Sequence, residues 1–595
     1  MGYGHLIVQV DTGDEALPVH GATVLIKDGG GNVLHKLITG ESGRTESIKL
    51  YAPDKYHTLD PNDAGPFYSV YDVEVRFDGK FKTRIIHDVE IFDGEETILP
   101  VHLHPLAGDG KDDIEEITIP KPDILNKSQA KEAQREVIPY IPRDVIIPEF
   151  ITVKLGRPDS SARTVRVRFP EYIKNVASSE IFPTWPEAAL EANILAQISF
   201  ALNRVFTEWY RSRGYNFDIT NSTAVDQAYV DGRNIFGNIS KIVDNMFTSF
   251  ARRQGRLEPF FAQYCNGTTV TCSGLSQWGT VPLANRGMTP IQILRNYYPD
   301  DIQIVTSDNI QNVAESYPGT PLREGSSGES VRMLQQYLNR IRVNYPLIPQ
   351  ITNLNGQFDA TTKRAVETFQ GIFNLTKDGV VGRGTWYRII QLYVAVTRLA
   401  AMDSEGKWIG LGAIPPTATI REGNRGSNVT KLQFLLNYIS EFYESIEPVI
   451  QDSSFRKSTT DAVRAFQRQF GLNVDGIVGP NTWKKLYSVY ESISKNAPTP
   501  PSPGGTSVNE PYPGALVRLG STGNSVRIVQ EALNAVGSVK PSISRVSVDG
   551  IFGPLTQNAV REFQRIFGLQ ADGIVGPITW DRLIKERNST IRKTD

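Results

Sequence analysis

The chain has 595 residues, with 63 Lys and Arg against 65 Asp and Glu, and 40% of its residues are hydrophobic. A single hydrophobic core rarely grows beyond about 250 residues, so we expect about four or five globular domains. The balanced charge offers no field that attracts nucleic acid or anionic lipid, which argues against both as partners.

The first residues, Met1 to Val10, show no cationic region followed by an apolar stretch and a small-residue cleavage site. No run of about 18 apolar residues occurs along the chain. We therefore expect neither a secretion signal nor a membrane span. A wall-directed protein would then reach its target by lysis, a dedicated exporter or assembly within a spore.

Residues 1–105 contain short alternating apolar runs separated by Gly, Asp and Asn turn signals, which predicts an antiparallel β-sandwich. The run Pro18-Val-His-Gly-Ala-Thr-Val-Leu-Ile, followed by a Gly29-Gly-Gly turn, resembles the transthyretin-like, carboxypeptidase-regulatory-like accessory sandwich, which carries no catalytic motif. Residues 106–146 turn polar and are punctuated by prolines, so we expect an exposed linker.

A second globular block is expected over residues 147–308, with a strand-like stretch near Tyr172 and then a long helix. Thr184-Trp-Pro-Glu187 has the arrangement of a capping box and predicts the start of that helix. Glu187 is then explained as a cap, and Glu191 as a solvated residue near the positive end of the helix dipole. Glu180 has no such structural role.

The same block resembles the stage II sporulation protein D family of peptidoglycan lytic transglycosylases. The resemblance rests on the helix that carries Leu190 and on four later motifs in family order: Pro259-Phe-Phe-Ala-Gln-Tyr-Cys-Asn-Gly-Thr-Thr, Gly274-Leu-Ser-Gln-Trp-Gly, Leu283-Ala-Asn-Arg-Gly and Ile293-Leu-Arg-Asn-Tyr-Tyr. Aligning Leu190 with the family leucine places Glu180 on the catalytic glutamate. The family's helix lysine and arginine fall on Glu191 and Ile198.

This resemblance implies that Glu180 is the catalytic residue, and we assign Glu191, Tyr264 and Gln277 to substrate binding. A lytic transglycosylase needs one carboxyl and no cofactor. Its acid needs a raised pKa, and the sequence predicts that a rim of apolar side chains supplies the desolvation: Ile181, Phe182 and Trp185.

The two cysteines of the chain, Cys265 and Cys272, lie within this block. Zinc prefers four ligands, and all seven histidines lie at or before His104, so we expect no metal here. A local disulfide and free thiols both remain open.

Three segments near the C-terminus share one template and are predicted to be small helical bundles, over residues 320–395, 418–492 and 514–588. Their Phe-Gln pairs, Asp-Gly turns and tryptophans recur every 97 residues: Phe369, Phe466 and Phe563; Asp378, Asp475 and Asp572; Trp386, Trp483 and Trp580. We expect the tryptophans to be core residues rather than sugar platforms. Three threonines are expected to cap the last helix of each repeat: Thr385, Thr482 and Thr579.

These repeats resemble the peptidoglycan-binding-domain-1 family, most closely in the third copy (Asp549-Gly-Ile-Phe-Gly-Pro). In the second copy Asp452-Ser-Ser replaces the turn glycine of the other two, which puts its binding in question. A Pro/Gly spacer, residues 493–513, precedes the third copy. We hypothesise that three weak wall contacts act together through effective concentration.

The order of sandwich, linker, middle block and repeats resembles the clostridial spore cortex-lytic enzymes, whose N-terminal part is a pro-region removed by a germination protease. By that resemblance the cut lies near residues 140–150. We favour an enzyme that cleaves cortex glycan strands by lytic transglycosylation during germination and lies in the spore cortex, coat or cell wall. A catalytically silent wall-binding protein and a structural spore component are the alternatives.

Overall fold

The computed structural model describes the chain except residues 1, 78, 107–113, 126–144, 269–271, 312–316, 409–414, 497–516, 519–520, 522, 541, 549, 551, 568, 570–572 and 592–595. None of the helices described combines the length and the apolar character that crossing a bilayer requires. Most of the expected linker, the expected cut up to residue 144, Asp549, Asp572 and most of the spacer before the third repeat lie outside the described residues.

The N-terminal region is a sandwich of two sheets, each with its apolar side chains turned inward. In β1, Leu6, Val8 and Val10 alternate into the core with no exposed surface, as the sequence pattern predicts. The strands are β1 Gly2–Thr12, β2 Leu17–Pro18, β3 Thr23–Lys27, β4 Val33–Ile38, β5 Ile48–Ala52, β6 Ser69–Arg76, β7 Thr83–Ile91, β8 Glu96–His102 and β9 Ile114–Thr118.

The sandwich is mixed rather than antiparallel, which corrects the prediction. One sheet has the order β4-β3-β6-β7-β9, and the other places β1 between β8 and β2, with β5 also on β1. The pairs β1–β8 and β7–β9 are parallel. Alternating burial reports which face of a strand is covered but carries no information on the direction of its neighbour.

Strand β9 also corrects the linker prediction, because it lies within residues 106–146. It pairs with β7 from Thr83 to His87, and Ile119 directly after it is buried. The polar character of this stretch suits an edge strand, in which Glu115 and Glu116 lie between Ile114 and Ile117.

The middle block is an α+β unit whose helices pack around the long helix α2. Its elements are β10 Phe150–Lys154, β11 Thr164–Arg168, α1 Phe169–Glu180, α2 Glu187–Phe206, β12 Ile219–Thr220, β13 Ile235–Phe236, α3 Gly237–Met246, β14 Ser249–Arg253, β15 Tyr264–Cys265, β16 Leu275–Ser276, α4 Gln277–Asn285, α5 Pro290–Tyr297 and β17 Ile302–Thr306. Strand β13 joins the sandwich by pairing with β8.

Two local predictions in this block were wrong. The stretch around Tyr172 is helix α1, with Pro170 in its first turn and apolar residues at helical spacing. Helix α2 begins at Glu187 without a side-chain cap. The hydroxyl of Thr184 instead shares a hydrogen bond of 2.6 Å with that of Thr58 in the sandwich, so a tertiary contact replaces the capping box.

Each repeat is a three-helix unit, as the template predicts. The helices are α6 Glu329–Asn344, α7 Ala360–Ile372, α8 Arg383–Trp408, α9 Ser427–Ser440, α10 Lys457–Gln469, α11 Pro480–Asn496, α12 Asn524–Val539, α13 Pro554–Ile566 and α14 Pro577–Ile591. The three tryptophans are at most 3% exposed, so they are core residues as expected.

The Phe-Gln glutamines brace the Asp-Gly turns. In the first repeat Gln370 accepts from Gly379 N at 2.9 Å and donates to Val380 O at 2.9 Å. Its Nε2 also lies 3.3 Å from the hydroxyl of Thr385, which sits inside α8. The cap prediction for the three threonines was therefore wrong, since each hydroxyl contacts the bracing glutamine of its repeat instead.

The repeats differ in what their cores join. Buried residues of the first and second repeats form one continuous core with the middle block, whereas the third repeat packs around a core of its own, which includes Trp580. In the first repeat, a Cβ added at Gly384 would lie 2.5 Å from Asp244 O, so α8 and α3 touch backbone to backbone.

Candidate active site around Glu180

Glu180 is the last residue of α1 and is 2% exposed. The helix ends there because Ile181 turns extended and Pro183 and Pro186 follow closely, which disfavours helix. The chain then reverses into α2. This reversal brings one face of α2, which carries the side chain of Gln197, against the end of α1.

Three donors converge on the Glu180 carboxylate. Gln197 Nε2 donates to Oε2 at 2.8 Å, and the backbone N–H of Ala228 donates to Oε1 at 2.9 Å. The hydroxyl of Tyr264 donates as well. Burial, followed by the negative charge of Glu180, holds the pKa of Tyr264 well above its usual value, so this hydroxyl keeps its proton.

Gln227 connects these donors to one another. Its Nε2 donates to the Tyr264 hydroxyl at 3.0 Å and to Gln197 O at 3.1 Å, while its Oε1 accepts from the Tyr172 hydroxyl at 2.9 Å. These hydrogen bonds hold the Tyr264 hydroxyl in place and tie Gln227 to the backbone of α2 at Gln197. Such supporting bonds are how sites hold a reacting group in one orientation.

Gln227 and Ala228 belong to residues 221–234, the segment between β12 and β13, which we call the strap. The strap crosses over Glu180, and its Asp226 is fully buried with Arg204 at 2.9 Å and the Tyr210 hydroxyl at 2.6 Å. Further along, Val230 N and Val230 O both bond the side chain of Asn175 in α1. Glu180 is therefore closed in by the strap.

The apolar side chains that were expected to form a rim around Glu180 are buried instead. Ile181, Phe182 and Trp185 are 1%, 0% and 3% exposed. Phe182 stacks on Phe67 of the sandwich at 5.5 Å, and Trp185 Nε1 donates to Thr58 O at 3.0 Å. These side chains form the seam between sandwich and middle block, so their apolar character reflects interdomain packing.

Of the predicted binding residues, Tyr264 joins Glu180 directly and Glu191 does not. Glu191 and Gln197 are six residues apart, about 120° around a helix, so they lie on different faces of α2. Glu191 is half-buried, and burial, followed by the charge of Glu187, raises its pKa. Gln277 opens α4 and is 4% exposed.

Several buried polar atoms of the middle block have no hydrogen-bond partner among the described residues. They are Ser179 Oγ, Gln197 Oε1, Asn234 Nδ2, Asn234 Oδ1 and Gln277 Nε2. Ser179 and Gln197 flank Glu180 itself.

Cys265 and Cys272 form a disulfide, the local bridge that the sequence left open. The bridge lies next to Tyr264, and β15 pairs with β16 directly before Gln277. The disulfide therefore closes the loop between β15 and β16, and two of the predicted site residues, Tyr264 and Gln277, flank that loop. Among the residues that the structure describes, no three His, Cys, Asp or Glu side chains are grouped as metal ligands.

Sequence reasoning missed Gln197, Gln227 and Ala228. Gln197 did carry a signal, because it interrupts the apolar stripe of α2 directly before Ile198 and is fully buried. Gln227 and Ala228 had no local signal, since an irregular segment acquires its contacts through the tertiary fold.

The three C-terminal units match the family described as "Putative peptidoglycan binding domain" at residues 327–389, 425–486 and 522–583. The chain therefore carries three repeats of this peptidoglycan-binding domain.

Three curated relatives share parts of the chain. It is 37% identical over 172 residues to N-acetylmuramoyl-L-alanine amidase CwlL of Bacillus licheniformis, covering 28% of this chain and 46% of that protein. It is 39% identical over 100 residues to an uncharacterized protein of Kitasatospora aureofaciens, covering 16% of this chain and 77% of that protein. It is 42% identical over 67 residues to the spore cortex-lytic enzyme of Halalkalibacterium halodurans, covering 11% of this chain and 19% of that protein. The chain thus spans less than half of the amidase.

Proposed function

We propose that this protein is a peptidoglycan-binding enzyme of the cell wall or spore cortex that cleaves glycan strands by lytic transglycosylation, with Glu180 as its acid and base. The observation that carries the proposal is the Glu180 cluster: one buried carboxyl on which three hydrogen-bond donors converge. The repeat family supports peptidoglycan as the partner.

The reaction needs one carboxyl in two roles. For the acid step the N–H of Ala228 has to leave Oε1, so that Glu180 can carry a proton there. Glu180 then gives this proton to the glycosidic oxygen as the bond from the muramyl C1 to that oxygen breaks. The resulting carboxylate then takes the proton of the muramyl C6 hydroxyl as this oxygen bonds to C1. The products are an anhydro sugar and a new hydroxyl end, and Glu180 regains its proton.

Gln197 and Tyr264 are positioning residues in this scheme. Gln197 holds Oε2 of Glu180, the Tyr264 hydroxyl donates to the same carboxylate, and Gln227 holds that hydroxyl in place. Gln277 and Glu191 are proposed to bind substrate further from the reacting bond. The disulfide keeps Tyr264 and Gln277 in register.

We assign the repeats to anchoring and the N-terminal sandwich to a removable pro-region. The sandwich covers the aromatic seam at Phe182 and Trp185. A processing protease would cut between sandwich and middle block, as expected near residues 140–150. The germinating spore is the setting that suits such activation.

Amide hydrolysis is a second candidate, because CwlL is named as an amidase. The shared part spans less than half of that protein, so we rank it below glycan cleavage. A catalytically silent wall-binding protein is the third candidate, favoured by the 2% exposure of Glu180.

The test is digestion of purified spore cortex and vegetative sacculi, with mass spectrometry of the released sugars. The chain is used intact and after cleavage at a protease site introduced within residues 126–144. We expect anhydro-muropeptides from the cleaved chain and a loss of at least a hundredfold in Glu180→Gln. Glu187→Gln, an exposed carboxyl in the first turn of α2, is the matched control and retains activity.

Other products would replace the proposal. Free stem peptides with intact glycan would identify an amidase. Binding without any released product would identify a silent wall-binding protein. Anhydro products that persist in Glu180→Gln would remove Glu180 from the reaction.

A further inference from the structure

The strap holds Glu180 in a closed state through contacts that a substrate would have to replace. The N–H of Ala228 occupies one carboxyl oxygen, and Gln227 fills the space between the two tyrosines of the cluster. Gln227 is fully buried and Ala228 is 7% exposed. A glycan oxygen cannot reach Glu180 while these two residues stay in place.

The first end of the strap is fixed within the middle block. Asp226 pairs with Arg204, accepts from Tyr210, and accepts from both the N–H and the hydroxyl of Thr220. All of these groups lie on the middle block itself. This end therefore keeps its contacts whatever happens to the sandwich.

The sandwich also holds the second end of the strap, beyond its contacts with Asn175 and Arg163 of the middle block. Arg233 Nη2 lies 2.5 Å from Glu90 Oε2 of β7, and both side chains are at most 1% exposed. Arg233 Nη1 donates to Pro120 O at 3.2 Å, just beyond β9. A Cβ added at Gly232 would lie 2.7 Å from Ile117 Cδ1 of β9, so the sandwich presses directly on the strap.

The same arginine touches the helix that ends at Glu180. Its Nε donates to Ser178 O at 2.9 Å, two residues before Glu180. Arg233 thus ties together the sandwich, the strap and the end of α1. Removing Glu90 would leave a buried cation without its carboxylate, a state that favours moving the guanidinium into water.

There is room for such a movement. A cavity of about 430 Å³ lies where sandwich, middle block and second repeat meet. Its lining includes Tyr229, Asp231 and Gly232 of the strap, with His102 of the sandwich and Glu444 of the second repeat across from them. One side of the strap therefore borders open space.

We propose that residues 221–234 are an autoinhibitory strap, latched over Glu180 by the N-terminal sandwich through the Arg233–Glu90 ion pair. Displacing the sandwich removes the contacts of the strap with Glu90, Pro120 and Ile117. The second end of the strap is then held by Asn175 and Arg163 of the middle block, and it can move away from the carboxyl. Only the reaction that the uncovered Glu180 would carry out rests on the proposed function. The strap's opening itself is measured without substrate.

The test uses the full chain and amide hydrogen exchange of the strap. In Glu90→Gln we expect exchange across residues 228–233 to rise at least tenfold, because Arg233 loses its charged partner, while exchange at residues 224–226 stays unchanged. Ile117→Ala, which removes only the side chain pressing on Gly232, should raise it a few-fold. Glu46→Gln, an exposed carboxyl elsewhere on the sandwich, should leave it unchanged.

Digestion of peptidoglycan by the same intact chains should rise in the same order. Unchanged strap exchange in both Glu90→Gln and Ile117→Ala would overturn the latch. If Glu90→Gln raises exchange equally in β7 and β8, the sandwich has unfolded and Ile117→Ala decides the question. Faster strap exchange without any released product would support the latch and count against the proposed function.

Discussion

The second and third repeats share one template, yet the structure uses them differently. The second repeat is built into the body of the molecule: Arg166 N donates to Glu444 O at 3.2 Å, and the Tyr443 hydroxyl donates to Pro105 O at 3.1 Å. The third has its own core and touches helix α8 through a hydrogen bond of 3.0 Å from the Tyr393 hydroxyl to Asp581. Homologous units can thus serve as part of a rigid body or as a separate module.

This difference narrows the avidity hypothesis. Effective concentration across linkers applies where modules move independently. The first and second repeats share a core with the middle block, so their wall contacts would be set by the body's geometry. The third repeat is the one whose separate core suits an independent grip.

The largest expected effect comes from the repeat tryptophans. Trp483→Ala should destabilise by about 3–5 kcal/mol, because a fully buried indole leaves a cavity. The midpoint temperature of the main unfolding transition should fall, because this core continues into the middle block. Trp580→Ala should cost a similar amount but lower only a separate transition of the third repeat. Calorimetry of both variants makes the comparison, and a main transition lowered equally by Trp580→Ala would show that the third repeat belongs to the body.

A smaller effect is expected from pH at the contact between the third repeat and α8. Burial raises the pKa of Asp581 to about 6, although the hydrogen bond from Tyr393 and the charge of Arg340 both act to lower it. A carboxyl with a raised pKa favours the docked state when protonated. Docking is therefore strongest below about pH 4 and weakens as pH rises through 6, by about a hundredfold at most.

Distance measurements between labels on α8 and α14 would follow this docking across pH. Asp581→Asn should remove the pH dependence and keep docking near its low-pH level. Docking of the parent chain that stays constant from pH 4 to 8 would contradict the assignment of Asp581.

The smallest expected effect concerns the turn that the second repeat builds without glycine. Ser453 takes φ +61°, where Gly356 and Gly550 take +74°. Ser453→Gly should stabilise the second repeat by about 1 kcal/mol through relief of this strain, less what the 2.8 Å hydrogen bond to the Thr430 hydroxyl contributes.

The reverse change, Gly550→Ser, is the matched control and should destabilise the third repeat by a similar amount. Urea unfolding measures the change in the free energy of unfolding in both variants, provided that the slope of free energy against urea concentration is unchanged. A less stable Ser453→Gly chain would show that the hydroxyl contact outweighs the backbone strain.

The candidate site was half visible in the sequence. Glu180 and Tyr264 lie in motifs with fixed spacing, and the structure joins them. The capping box at Thr184 failed because its hydroxyl found a partner 126 residues away in the sandwich. The apolar rim failed for a similar reason, since a local pattern of Phe182 and Trp185 cannot distinguish a substrate groove from an interdomain seam.

Sequence alone determined the repeats, because their 97-residue period, buried tryptophans and glutamine-braced turns are local and self-contained. It also determined the inward faces of the sandwich strands, since alternation reports burial directly. Strand direction, the closure of Glu180 by the strap and the incorporation of two repeats into the body were decided by the tertiary structure. These features depend on contacts such as Arg233 with Glu90, which join residues far apart in the chain and leave no local pattern.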